Sequence, residues 1–100
     1  MTDPTIHNFH YFLEELGKGF LFLHRQKRIK VDGDDYRIDL VFYHRILKCH
    51  ILIDLKMDVQ MHEAAGQMNY YLNYYNKNEK QKSDSPPIGI ILSANEDEAE

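Results

Sequence analysis

Apolar residues recur at three- and four-residue spacing in two stretches of this chain and at alternate or consecutive positions in four others, a pattern that predicts two helices and four strands. From Thr5 to Lys18, Phe9, Phe12, Leu13 and Leu16 form one face of a helix whose polar face carries Glu15, and Gly17 and Gly19 supply its stop. Phe20 to Val31 reads as a strand, and Asp32-Gly33 as a hairpin turn of the kind that tolerates positive φ. Tyr36 to His44 and Cys49 to Lys56 are the next two strands, joined by a turn around Arg45 to Lys48. Met61 to Asn78 is helical, with Ala64, Ala65, Met68, Leu72 and Tyr75 as its apolar stripe. Two prolines make Ser83 to Pro87 a loop, and Ile88 to Leu92 closes as an apolar strand. The order is α-β-β-β-α-β. A helix between the third and last strands suits a parallel crossover, so the expected fold is α/β, a mixed sheet flanked by helices. Residues 1–100 read as one domain, with 94–100 a flexible acidic tail.

The composition is that of an ordinary soluble protein, 43% hydrophobic and 28% charged. No apolar run approaches the roughly 20 residues needed to span a bilayer, and the N-terminus lacks the basic and apolar regions of a signal peptide, so a cytoplasmic location is expected. One hundred residues build a modest core. Tyr70, Tyr71, Tyr74 and Tyr75 add apolar surface beyond what one small sheet covers, so a homodimer is expected. Cys49 is the single cysteine, which excludes an internal disulfide, and its apolar strand marks it as a buried, inert thiol. The net charge of −4 is unevenly spread: residues 1–50 carry eight Lys/Arg against seven Asp/Glu, residues 51–100 four against nine. Arg25, Lys27, Arg28 and Lys30 lie within six residues, a candidate phosphate-contacting segment. A solvated edge strand guarded by its charges would look the same.

The chemistry concentrates in Tyr36-Arg37-Ile38-Asp39-Leu40 and Ile53-Asp54-Leu55-Lys56. On alternating strands Asp54 and Lys56 project one way, while Ile51, Ile53 and Leu55 are expected in the core. A hairpin turning at Arg45 to Lys48 sets Asp39 opposite Asp54, with facing side chains about 5 Å apart. That spacing suits two carboxylates sharing a hard cation. Strand-end acids paired with Lys56 are the plainer reading of the same three residues.

The order of elements and four blocks of sequence resemble the PD-(D/E)XK nuclease superfamily and, within it, the YhcG-like nuclease domain. The blocks are residues 12–20 (FLEELGKGF), residues 33–44 (GDDYRIDLVFYH), residues 53–56 (IDLK) and residues 65–72 (AGQMNYYL). The resemblance implies a restriction-endonuclease-like core. By position it makes Asp39 and Asp54 the sheet acids, Lys56 the lysine, Glu15 the first-helix acid and Gln67 the second-helix glutamine. Asp39, Asp54, the Leu55 carbonyl and Glu15 would hold Mg²⁺, with Mn²⁺ as a substitute. Lys56 would position or deprotonate the attacking water, and Gln67 would orient Lys56 or the phosphate. Two departures stand out: Asp54 replaces the usual Glu, and the N-terminal domain customary in these proteins, a possible partner, is absent from these residues. The function implied is metal-dependent hydrolysis of phosphodiester bonds, of DNA. The alternatives are a catalytically weak nucleic-acid-binding or dimerisation module of the same fold, and a structural oligomerisation domain.

Other motifs carry less. Gly17-Lys18-Gly19 is too short for a phosphate-cradling loop. His44 and His50 read as a cross-strand pair rather than a zinc site. The four tyrosines divide between core and a partner surface more readily than they stack on bases.

Overall fold

The structure, a computed structural model, describes Tyr11, residues 14–57 and residues 60–94. Helix α1, described over residues 14–18, leads into β1 (Phe20–Val31), β2 (Asp34–His44) and β3 (Cys49–Met57). Helix α2 (Met61–Tyr74) continues into a π-helical turn (Tyr75–Glu79), and β4 (Ile88–Ala94) follows. The strands lie in the order β1-β2-β3-β4, antiparallel for the first two pairs and parallel for the last. This is an α/β fold with a four-stranded mixed sheet, of the restriction-endonuclease-like type. The expected parallel crossover is α2. Ala94, expected in the acidic tail, pairs in β4, and residues 95–100 lie outside the described residues, as do Phe9, Phe12 and Leu13 of the first helix. No described helix is long and apolar enough to cross a membrane.

Both hairpins form where turn chemistry places them. Asp32 (φ 52°) and Gly33 (φ 87°) both take positive φ, which matches the right-handed twist of the flanking strands. Lys48 (φ 54°) ends the second turn. His44 fixes that turn from below: its Nδ1 accepts from the Leu47 amide at 3.1 Å, so its Nε2–H donates to the Leu16 carbonyl at 2.6 Å. A Cβ at Gly19 would collide with the His44 ring. Gly19 therefore serves close packing of α1 on the sheet rather than a left-handed helix stop.

His44 and His50 are not cross-strand partners. His44 pairs with Cys49 and packs on Phe20, whereas His50 pairs with Tyr43 and packs on Tyr43 and Tyr75. Adjacent register positions face opposite sides, and each imidazole joins a different layer. Cys49 is buried, and burial raises its thiol pKa.

The main core lies between the sheet and α2, built from Ile29, Ile38, Val41, Leu52, Met68, Tyr71 and Tyr75. It corrects the expected parity of β3. Leu52 and Asp54 lie on the α2 side and are fully buried, whereas Leu55, expected inside, is 52% exposed. Ile51 is also buried, on the opposite face. With covered positions on both faces, β3 reads as a continuous apolar run that parity cannot sort. Ala65, expected in the α2 stripe, is exposed, and Tyr71 takes its place. Tyr71 and Tyr75 are core while Tyr70 is exposed, so Tyr71 offers nothing to a second subunit and a charge there would disrupt the fold.

Strict alternation also fails along β2. Tyr36 packs on Tyr70 and Tyr71, and Tyr43 packs on His50 beside Tyr75, so an even and an odd position face the same helix. Between them the β1–β2 ladder skips Gln26, whose φ is 55°, and the Asp39 opposite it, and a register shift follows between Phe22 and His24. Such irregularities re-aim side chains. Here the residue at the interruption is Asp39.

Gly89 admits α2 to the sheet, since a Cβ there would sit 2.6 Å from Met68 Sδ. Gly89→Ala should therefore cost about 1–3 kcal/mol through overpacking. Combining it with Met68→Ala should recover part of that loss, as denaturant titration of the single and double variants will read. Strictly additive costs would show that the close approach is not the cause.

Candidate active site

The paired residues of β2 and β3 run out at Leu40 and Ile53, and one register step further Asp39 meets Asp54. There, side chains replace carbonyls as acceptors. The Asp39 amide donates to Asp54 Oδ1 at 3.3 Å, and the Leu55 amide donates to Asp39 Oδ2 at 2.8 Å. Each carboxylate thus takes a hydrogen from the other strand, and the two acids are fixed side by side.

Asp54 is 0% exposed, and its Oδ2 has no hydrogen-bond partner among the described residues. Burial pushes its carboxyl pKa up; the Asp39 amide opposes this, the Asp39 charge adds to it and Lys56 counters it. An unpartnered buried carboxylate oxygen is costly. Beside a second carboxylate it is also the donor chemistry of a hard divalent cation, so these residues fit one.

Lys56 follows on the same side of β3, and it lines a small cavity of about 60 Å³ together with Gln60, Glu63, Ala64 and Gln67. The structure therefore brings Gln67 to Lys56. Gln67 donates from its amide nitrogen to Glu63 Oε1 at 3.4 Å. Glu63 was missed in the sequence, although its four-residue spacing from Gln67 sets both on one helix face. Tyr71 packs beneath, its hydroxyl donating to the Arg37 carbonyl at 3.5 Å. Burial first, then the charges of Asp54 and Asp39, push its phenol pKa up to about 12.

Glu15 is not brought to this site. Its Oε1 pairs with Lys18 Nζ at 3.4 Å, and the described residues hold no cluster of three His, Cys, Asp or Glu side chains placed to share a metal.

The basic segment lies on β1, an edge strand, and its residues do not share a face. Lys27 pairs with buried Ile38, while Arg28 pairs with Arg37 and Lys30 with Asp35 on the other side; Arg25 pairs with Leu40. Arg28 and Arg37, both exposed, set two like charges directly across the hairpin. Arg37 was also missed: the register of the Asp32-Gly33 turn is what makes it Arg28's neighbour.

The sequence profile of the YhcG PDDEXK nuclease domain matches residues 1–100. The chain belongs to that family. It is 40% identical over 92 residues to the protein named "Putative nuclease YhcG" of Escherichia coli (strain K12), an alignment covering 92% of this chain and 24% of that protein. The chain thus spans about a quarter of that relative's length. No solved structure matches it. Membership in this nuclease family agrees with the fold and gives the Asp39–Asp54 contact a chemical context that strand-end acids lack.

In this nuclease domain Asp54→Asn should stabilise the metal-free protein, because the amide removes a buried charge next to Asp39 and supplies donors in its place. In EDTA its melting temperature should equal or exceed that of the wild type. Millimolar Mg²⁺ or Mn²⁺ should then raise the wild-type melting temperature and leave Asp54→Asn unmoved. An equal metal-induced rise in both proteins would remove Asp54 from the ligand set.

Proposed function

We propose that this domain is a metal-dependent nuclease that hydrolyses phosphodiester bonds of DNA. The observation that supports it most is the unpartnered, fully buried Oδ2 of Asp54 held against Asp39. Asp39, Asp54 and the Leu55 carbonyl would hold Mg²⁺, or Mn²⁺ in its place; Glu15 is left out of this set because the described residues do not bring it together with the two acids. A bound divalent cation would supply Lewis-acid stabilisation of charge developing on the phosphate.

The remaining roles belong to the chain itself. Lys56 is half-buried at the mouth of its cavity, with three donors to place on a water and a phosphate oxygen. Gln67, tied to Glu63, keeps an amide oxygen to receive one Lys56 hydrogen and so aim the ammonium. Arg28 and Arg37 attract the backbone of the substrate strand, which offsets their mutual repulsion. That no third acid joins Asp39 and Asp54 among the described residues favours a second reading, a module that binds nucleic acid and cleaves it weakly.

Cleavage assays over DNA and RNA substrates with Mg²⁺, Mn²⁺ or EDTA decide between them. Wild type should cut DNA with metal, and Asp39→Asn, Asp54→Asn and Lys56→Ala should each lose that activity. Binding without cleavage at any metal concentration would establish the second reading. In titrations over a range of salt, Arg28→Ala and Arg37→Ala should each reduce the slope of log K against log salt by about 1, whereas Lys56→Ala should leave most of the affinity in place.

A further inference from the structure

The proposed site accounts for the first half of α2. Its second half borders a separate cleft of about 460 Å³, between that helix and the tip of the β1–β2 hairpin. Lys30 and Asp32 line it from the hairpin, Tyr70, Asn73 and Tyr74 from the helix, and Lys77 from the π-turn that continues it. Its size is that of a small-molecule site.

We propose that this cleft holds an unpaired nucleotide of the substrate strand, with its base on Tyr70 and Tyr74 and its phosphate near Lys77. The inference rests on the nuclease reading above and adds the strand state of the substrate. Tyr70 is 46% exposed, yet its ring is not loose. It lies 5.7 Å from the Tyr36 ring at 31°, and Tyr36 in turn packs on buried Tyr71 at 6.0 Å. An aromatic series thus runs from the core to the cleft and presents a fixed ring to solvent. Tyr74 is braced in the same way against buried Tyr75, at 5.9 Å. Rigid rings bind a flat partner at low entropic cost.

Lys77 offers a phosphate contact beside the two rings. Among the described residues it is in no ion pair, whereas Lys30 lies across from Asp35 on the far face of the hairpin. Bases in a duplex are stacked inward and cannot reach a ring in a concave site; a base from a single strand, flap or end can. The cleft lies further along the same helix than the Lys56 cavity. Tyr71, adjacent to Tyr70, bonds the carbonyl of Arg37, two residues before Asp39. From Gln67 to Tyr74 the helix rises about 10 Å, which is about three nucleotides of a stacked strand.

The test is binding in EDTA, where no metal-dependent cleavage occurs. Fluorescently labelled single-stranded DNA and a duplex of equal length are titrated against wild type, Tyr70→Ala, Tyr70→Phe and Lys77→Ala. Both positions are exposed, and melting temperatures check that each variant is folded. Tyr70→Ala should weaken single-strand binding about tenfold and duplex binding less than twofold, and Tyr70→Phe should bind like wild type. Lys77→Ala should lower the single-strand salt slope by about 0.7. Equal losses on both substrates, or no loss on the single strand, would overturn the inference. Duplex cleavage by a wild type with no single-strand preference would also refute the cleft and leave the nuclease reading standing. Tyr70-dependent single-strand binding by a protein that never cleaves would do the opposite.

Discussion

The exchange of amide hydrogens between Asp39 and the Asp54–Leu55 segment is the contact on which the layout turns. A regular ladder would continue past Leu40 and Ile53 and send those amides to carbonyls. Two carboxylates take them instead, at 3.3 and 2.8 Å, and the pairing of β2 with β3 stops there. Beyond that point the β1–β2 hairpin is free of β3. Its inner residues Ile29, Tyr36 and Ile38 join the core with α2, and the interruption of the β1–β2 ladder at Gln26 is the local adjustment that lets them do so.

Setting two acids together under a helix is unfavourable in the metal-free protein, and the surroundings limit the cost without removing it. The Asp39 amide and the nearby Lys56 lower the pKa of Asp54, while burial and the neighbouring carboxylate raise it more. The unpartnered Oδ2 shows that the balance is incomplete. What holds the acids in place is the apolar layer around them: Ile38, Val41, Leu52, Met68, Tyr71 and Tyr75 are nearly inaccessible, and each large side chain so buried contributes about 1.5–3 kcal/mol. Strain at the acids is thus maintained by packing elsewhere, as expected for a site built to bind something.

Most of the fold could be read from residues whose local chemistry allows few alternatives. Asp32-Gly33 admits the tight turn, the two prolines bound β4, and the apolar period of α2 survives in Ala64, Met68 and Tyr75. The register that brings Asp39 to Asp54 follows from the position of the second turn. Other features depend on contacts that no local pattern encodes. Which face of β3 is core depends on α2 crossing above it, so alternation alone puts Leu55 inside and Asp54 outside, the reverse of what is found. Where Glu15 lies relative to the two acids depends on how α1 packs on the sheet. Glu63 and Arg37 become neighbours of the site through a helix turn and a hairpin register, and their residue types alone gave no signal.

Helix α2 ties these parts into one device. Its first turns carry Glu63 and Gln67 to Lys56, its middle supplies Met68 and Tyr71 to the core, and its far end turns Tyr70 and Tyr74 outward. Three faces of one helix therefore depend on a single rotational setting. That setting is fixed at one end by Gly89, which lets Met68 approach the sheet, and at the other by Tyr75, buried against His50 where the helix widens into its π-turn. A rotation that moved Tyr71 off the Arg37 carbonyl would also displace Gln67 from the Lys56 cavity and Tyr70 from Tyr36. The acids, the lysine cavity and the outer cleft are for this reason mechanically one unit, and packing of α2 on the sheet is the variable that sets all three.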